Sequence, residues 1–197
     1  QNTAFYLSDH VVQGANILPA SAYIEMVLAC QEPFGQMNIC FEDLKFKDAL
    51  LLPAKGKRSI QLAITEGQSS EFKLFSREGD EPWALSASGA YGATGVNEST
   101  SSNAPRFDPQ MPIMQGQKFY ETLAQKGLCF GPHFQGVSQI QMKVGEALAE
   151  IKMPISVLPG HERYLFHPVL LDSCLQILVA CFGLEEHNNV TQVLFLT

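Results

Sequence analysis

Two spacings of apolar residues alternate along the 197 residues of the chain. At 20–30 they fall three and four apart, and Ile24, Val27, Leu28 and Ala29 are predicted to line one buried helical face. Pro19 stands at the start of that helix, where its missing N–H would lack a partner in any residue. Shorter segments suited to strands follow at 39–47, 59–65, 72–77 and 84–91. One helix followed by several antiparallel strands predicts an α+β arrangement, the helix covering one sheet face. The pattern then lapses. The stretch 93–110 is rich in Ser, Thr, Asn, Gly and Pro with almost nothing to bury, and reads as a linker.

Beyond it the pattern returns. Residues 115–126 read as a helix, 134–143 and 146–153 as a hairpin turning at Val144 and Gly145, and 168–182 as a long buried helix. A further strand is predicted at 193–196. The expected division is therefore 1–92, a linker at 93–110, and a second half at 111–197. One long helix with two or three strands buries little, so the second half reads as incomplete, with the natural domain continuing past Thr197. The chain opens at Gln1 and carries no basic segment ahead of an apolar one, so an excised piece without a signal peptide is expected.

Composition narrows the function. Apolar residues make up 46% and charged residues 17%, enough for a core and too apolar for wholesale disorder. Net charge is −7, from 13 Lys+Arg against 20 Asp+Glu, which argues against a nucleic-acid partner. The longest apolar stretch, 168–184, is broken by Asp172, Ser173 and Gln176, so no membrane span is expected. Five widely spaced cysteines without a C-x-x-C pair read as reduced, mostly buried thiols of a cytoplasmic protein, and no metal site is expected. Lys45, Lys47, Lys55, Lys57 and Arg58 form the most basic stretch, either a local docking surface for an acidic partner or a solvated face.

Three segments could carry chemistry. In the first, His10, Gly14 and Pro19 stand in order ahead of the first helix. Glycine lets a ligand approach the main chain closely, and the helix N-terminus offers free N–H groups and partial positive charge. A histidine beside such a cradle suits a general base, since imidazole titrates near ~6.5. The same spacing also fits an ordinary histidine ahead of a helix. In the second, Asp172 lies within Val169, Leu170, Leu171, Leu175 and Ile177, with Gln176 one turn on. Burial would raise its pKa and suit it to a general acid, unless it lies on a polar helix face. In the third, Gly127, Gly131, Pro132 and Gly136 mark a constrained turn in which Phe130 and Phe134 could line an apolar cavity. His133, His161 and His187 show no partner signal, and His167 beside Pro168 marks a helix start.

Taken in order, these segments resemble the dehydratase domain of modular polyketide synthases, whose signatures are HxxxGxxxxP, GYxYGPxF and DxxxQ/H. The first matches through His10, Gly14 and Pro19, and the last through Asp172 and Gln176 within HPVLLDSCLQ. The middle one matches through Gly127, Gly131, Pro132 and Phe134, with Leu128 and Phe130 where the family often shows Tyr. The resemblance implies a double hotdog, two fused halves each with a long helix wrapped by a curved antiparallel sheet, the second truncated here. It implies that His10 and Asp172 act as base and acid on one tunnel, with Gly14, Pro19, Phe130, Gly131, Pro132 and Gln176 binding substrate.

The implied reaction removes water from a β-hydroxyacyl thioester to give an α,β-enoyl thioester. It needs no cofactor of its own, because the substrate rides on the phosphopantetheine arm of an acyl carrier protein. The implied partners are that carrier, other domains of a polyketide synthase and a second copy in a homodimer. Two alternatives share the fold. One is a double-bond isomerase or cyclase, whose members tend to have lost the aspartate. The other is a catalytically silent scaffold domain, in which both acid and base would drift.

Overall fold

The computed structural model describes residues 4–31, 39–65, 70–93 and 105–181. The predicted strand at 193–196, His187 and most of the expected linker lie outside them. In chain order the elements are β1 (His10–Val12), β2 (Ala15–Asn16), α1 (Ala20–Gln31), β3 (Ile39–Phe46), β4 (Arg58–Thr65), β5 (Ser70–Glu78) and β6 (Ala84–Ala93). The second half supplies β7 (Met114–Gln115), α2 (Gly116–Gln125), β8 (Leu128–Phe130), β9 (Val137–Lys143), β10 (Glu146–Ile151) and α3 (Pro168–Cys181).

The first half is an antiparallel sheet in the order β3-β6-β5-β4 with α1 on one face. Alternation along β5 buries Phe72, Leu74 and Ser76 and leaves Glu71, Lys73 and Phe75 on the other side or at its margin. Tyr23 and Val27 of α1 pack with Leu74, Ala87, Phe72 and Tyr91. Register shifts at Glu42 to Lys45 and at Leu74 to Phe75 bend the sheet around the helix.

The buried face of α1 differs from the predicted one. Val27 is buried, but Ile24 and Leu28 are half-buried, Ala29 is exposed, and Ser21, Ala22, Tyr23 and Glu25 take the interior positions. The reason is that α1 packs against α3 as well as the sheet. A helix covered from two sides does not show a single apolar stripe.

The second half repeats the motif with β10-β9-β7 against α3. Amphipathic α2 adds Phe119, Tyr120 and Leu123 to the largest core cluster. The hairpin turns at Val144 and Gly145 as predicted. Residues 134–136, read as strand, do not extend it: Pro132–Phe134 forms a 3-10 turn and β9 starts at Val137. Among the described residues the second sheet has three strands against four in the first, and α3 leaves Cys174 exposed and Leu178 half-exposed. This is the double hotdog, with a partial second half.

The halves are stitched rather than strung together. A third sheet, β2-β1-β8, joins both: His10 lies opposite Phe130, Val11 opposite Cys129 and Val12 opposite Leu128. Tyr6 and Val12 from the first half sit in the core cluster of the second.

The cysteine expectation is corrected in part. All five are free thiols, but Cys30, Cys40, Cys129 and Cys174 are exposed and Cys181 is half-buried. The four exposed ones occupy the outward sides of their helices or strands, a placement that an apolar neighbourhood in sequence does not reveal. No helix among the described residues is long and apolar enough to cross a membrane.

Candidate active site

β1 brings His10 to the seam between the halves, and α3 brings Asp172 to the same point. His10 Nε2 and Asp172 Oδ1 are 3.7 Å apart, and both residues are buried. Between β1, α1, β3, β8 and α3 opens a cavity of about 100 Å³, lined by His10, Asp172, Gln176, Phe130 and apolar groups such as Leu175 and Val179. A single water needs only ~10–15 Å³ on this measure, so the space admits part of an organic ligand.

The histidine's tautomer is set by its surroundings. Nδ1 lies 2.9 Å from the Ile17 carbonyl oxygen, which can only accept, so Nδ1 carries the hydrogen. Nε2 is then the bare nitrogen, and it faces the cavity. The ring is held between Phe130 and Phe134, whose centroids lie 5.4 Å and 5.2 Å away.

Asp172 is held from behind. Gln176 Nε2 donates to Oδ2 at 2.8 Å and also to the Phe134 carbonyl at 3.1 Å. Burial pushes the Asp172 carboxyl up, against the His10 charge and the Gln176 hydrogen bond, which pull it down. Burial thus favours the protonated form of a carboxyl that lies beside a bare imidazole nitrogen, an arrangement suited to acid and base chemistry.

The other residues expected to bind substrate separate. Phe130 and Gln176 line the cavity, whereas Gly14, Pro19, Gly131 and Pro132 do not. Gly14 is exposed, with φ +79°, in the turn between β1 and β2, and this turn sets up the hairpin that aims His10. Pro19 is fully buried ahead of α1, and its neighbours Leu18 and Ala20 reach the cavity instead.

Gly131 serves a clasp behind the cavity. A Cβ there would overlap the Asp9 carboxylate, which accepts the His133 backbone N–H at 3.0 Å and its Nδ1–H at 2.6 Å. The Gly131 N–H donates to the Asp9 carbonyl at 2.8 Å. The clasp ties the residue before His10 to the turn after Phe130. His133 is therefore half-buried and paired, contrary to expectation, with a partner 124 residues away that local pattern cannot reveal.

His167 does begin α3, but from the interior: Val169 N–H donates to its Nδ1 at 3.2 Å, and Tyr164 and Tyr6 pack on the ring. Tyr120 was not read from the sequence at all. Its helical spacing marks it as core, and nothing local signals that its hydroxyl reaches Gln176 at 3.0 Å.

In the basic stretch, Lys45, Lys47, Lys55 and Lys57 are exposed and Arg58 is half-buried. On β3, Phe46 faces the cavity and Lys45 is exposed one position earlier. Arg58 is engaged by the Leu51 carbonyl at 3.3 Å and by Glu78 at 3.7 Å. No group of three potential metal ligands occurs among the described residues.

Comparison with known proteins places the chain in a family. Residues 1–77 match a family described as "Polyketide synthase dehydratase domain", and 98–195 match "Polyketide synthase dehydratase N-terminal domain". Polyketide synthase GfsA of Streptomyces halstedii is 30% identical over 183 residues, 88% of this chain and 2% of that protein. The dehydratase domain from the CurK module of curacin polyketide synthase superposes with a TM-score of 0.80 at 26% identity, covering 94% of this chain and 68% of that one. An inactive CurK dehydratase mutant with aspartate replaced by asparagine superposes at 0.79 and 25% identity, with the same coverage. The chain belongs to the polyketide synthase dehydratase family. Members of this family are hydro-lyases that act on β-hydroxyacyl intermediates during polyketide chain processing.

Proposed function

We propose that His10 and Asp172 perform the elimination in this chain as base and acid. His10 Nε2 removes the α-proton of a β-hydroxyacyl thioester. Asp172 Oδ1 gives its proton to the β-hydroxyl, the Cβ–O bond breaks, and water leaves an α,β-enoyl thioester. His10 ends protonated and Asp172 ends as carboxylate. Proton return across the 3.7 Å gap resets both. Because both groups face one cavity, hydrogen and hydroxyl leave from the same side. α1 begins at the cavity wall with Ala20, so its partial positive end favours the thioester carbonyl as negative charge develops there. The reaction as drawn uses no cofactor of the protein's own.

The observation carrying this reading is the 3.7 Å approach of a bare imidazole nitrogen to a buried carboxyl from the other half. The inactive aspartate mutant of the CurK relative supports it. The substrate arrives on the phosphopantetheine arm of an acyl carrier protein, within a larger synthase in the cytoplasm and as a homodimer. Loading β-hydroxyacyl carrier protein and following its mass tests the reading: wild type sheds water, and His10→Ala does not. A His10→Ala variant at wild-type rate would contradict it.

A further inference from the structure

Asp172 has two oxygens, and elimination needs the proton on one of them. Oδ1 faces His10, whereas Oδ2 accepts the Gln176 Nε2–H at 2.8 Å. A proton on Oδ2 would point at another donor, so what holds Gln176 in this orientation decides where the acid proton sits. Phe134 contributes a carbonyl oxygen that can only accept, at 3.1 Å from Nε2. Tyr120 contributes the opposite requirement. Its oxygen accepts the Val137 N–H at 2.9 Å, so its own proton is free for Gln176 Oε1 at 3.0 Å. Every polar atom of the Gln176 amide is thereby used in one sense only, from Val137 through Tyr120 and Gln176 to Asp172. All four residues are buried.

We propose that Tyr120 is a positioning residue for the elimination: by donating to Gln176 it fixes the acid proton of Asp172 on the oxygen that faces His10. This rests on the reading of Asp172 as the acid. The Tyr120 ring packs behind Phe130, with centroids 6.3 Å apart. The titratable groups around Asp172 are His10 on β1, Tyr120 on α2 and Cys174 on α3 itself.

Tyr120→Phe removes the donor and leaves the Gln176 orientation held by the Phe134 carbonyl alone. The Gln176 N–H favours the ionised carboxyl, so its loss moves Asp172 further up. The test measures kcat and KM against pH with a small β-hydroxybutyryl N-acetylcysteamine thioester, for wild type, Tyr120→Phe, Gln176→Met and the double variant. In Tyr120→Phe, kcat falls roughly 10-fold to 100-fold with KM nearly unchanged, and the basic limb of the profile moves to higher pH. Gln176→Met gives the same signature, and the double variant is no slower than Gln176→Met alone. An unchanged profile in Tyr120→Phe, or losses that multiply in the double variant, overturns the proposal. Asp172→Asn is the control: full activity there removes the acid assignment itself, and the proposal falls with it.

Discussion

Two carboxylates are buried on the two central helices, Glu25 on α1 and Asp172 on α3, exposed by 6% and 5%. Their surroundings differ in one respect. Both oxygens of Glu25 accept main-chain hydrogen bonds, from Leu165 N–H and Phe166 N–H at 2.9 Å each. Asp172 has one oxygen satisfied by Gln176, and the other looks across the cavity at an imidazole too distant to bond. Glu25 therefore anchors the segment that leads into α3, whereas Asp172 keeps one oxygen open to the cavity, as the proposed acid requires. Burial alone does not separate structural from reactive carboxyls; the count of satisfied oxygens does.

Exchanging the amide for the acid at each site should give opposite results. Asp172→Asn should lower the dehydration rate by ~100-fold or more. It should also raise stability at neutral pH, because the native carboxyl is held above its unfolded value. Such a group binds its proton more tightly when folded, so its contribution falls as pH rises from the unfolded value through the folded one. Glu25→Gln should do the reverse: an N–H would face a main-chain N–H, lowering stability by ~1–3 kcal/mol while the rate per folded molecule changes little. Urea denaturation alongside turnover reads both quantities. A Glu25→Gln variant as impaired in turnover as Asp172→Asn would erase the distinction.

The clasp sharpens it further. Asp9→Ala strands both His133 donors and loosens the strand that carries His10. The pair is partly exposed, so the expected cost is ~1–2 kcal/mol, with a several-fold fall in kcat. Unaltered melting and turnover would show that the clasp positions nothing.

His167 supplies the pH dependence on the same helix. Burial, assisted by His161, lowers its pKa from 6.5 to about 4. The folded state therefore favours the neutral ring, which the Val169 cap requires. This stability is present above pH 6.5 and is lost as pH falls through about 4. Denaturation at pH 7 and pH 4.5 should show the loss in wild type, and His167→Gln should reduce it. An equal loss in the variant would assign the effect to other groups.

Much of this was legible in sequence for identifiable reasons. Helix α3 and the hairpin β9–β10 follow local periodicity, and Asp172 with Gln176 stands out as polar residues one turn apart in an apolar run. The pairings of Asp9 with His133, Tyr120 with Gln176 and Glu25 with Leu165 and Phe166 span 124, 56, and 140 and 141 positions. Such contacts leave no periodic trace. Gly131 illustrates the consequence: the motif flagged it for substrate binding, but its missing side chain makes room for Asp9.

The smallest predicted effect concerns the cavity wall. Phe130 lines it and lies against His10. An apolar wall accepts methylene groups at ~0.8 kcal/mol each without discriminating among plain aliphatic chains. Phe130→Tyr should change kcat or chain-length preference by a few-fold on short and long β-hydroxyacyl thioesters, with the fold intact. Identical rates on both would remove Phe130 from the substrate's path.

The central claim is that one group from each half acts with the other as a unit across 3.7 Å. A double-mutant cycle on His10→Ala and Asp172→Ala, scored by water lost from a carrier-bound β-hydroxyacyl chain, tests it most directly. Each single variant should fall ~100-fold or more, and the double variant should be little slower than either. Losses that multiply in the double variant would contradict it, since the two groups would then be acting independently.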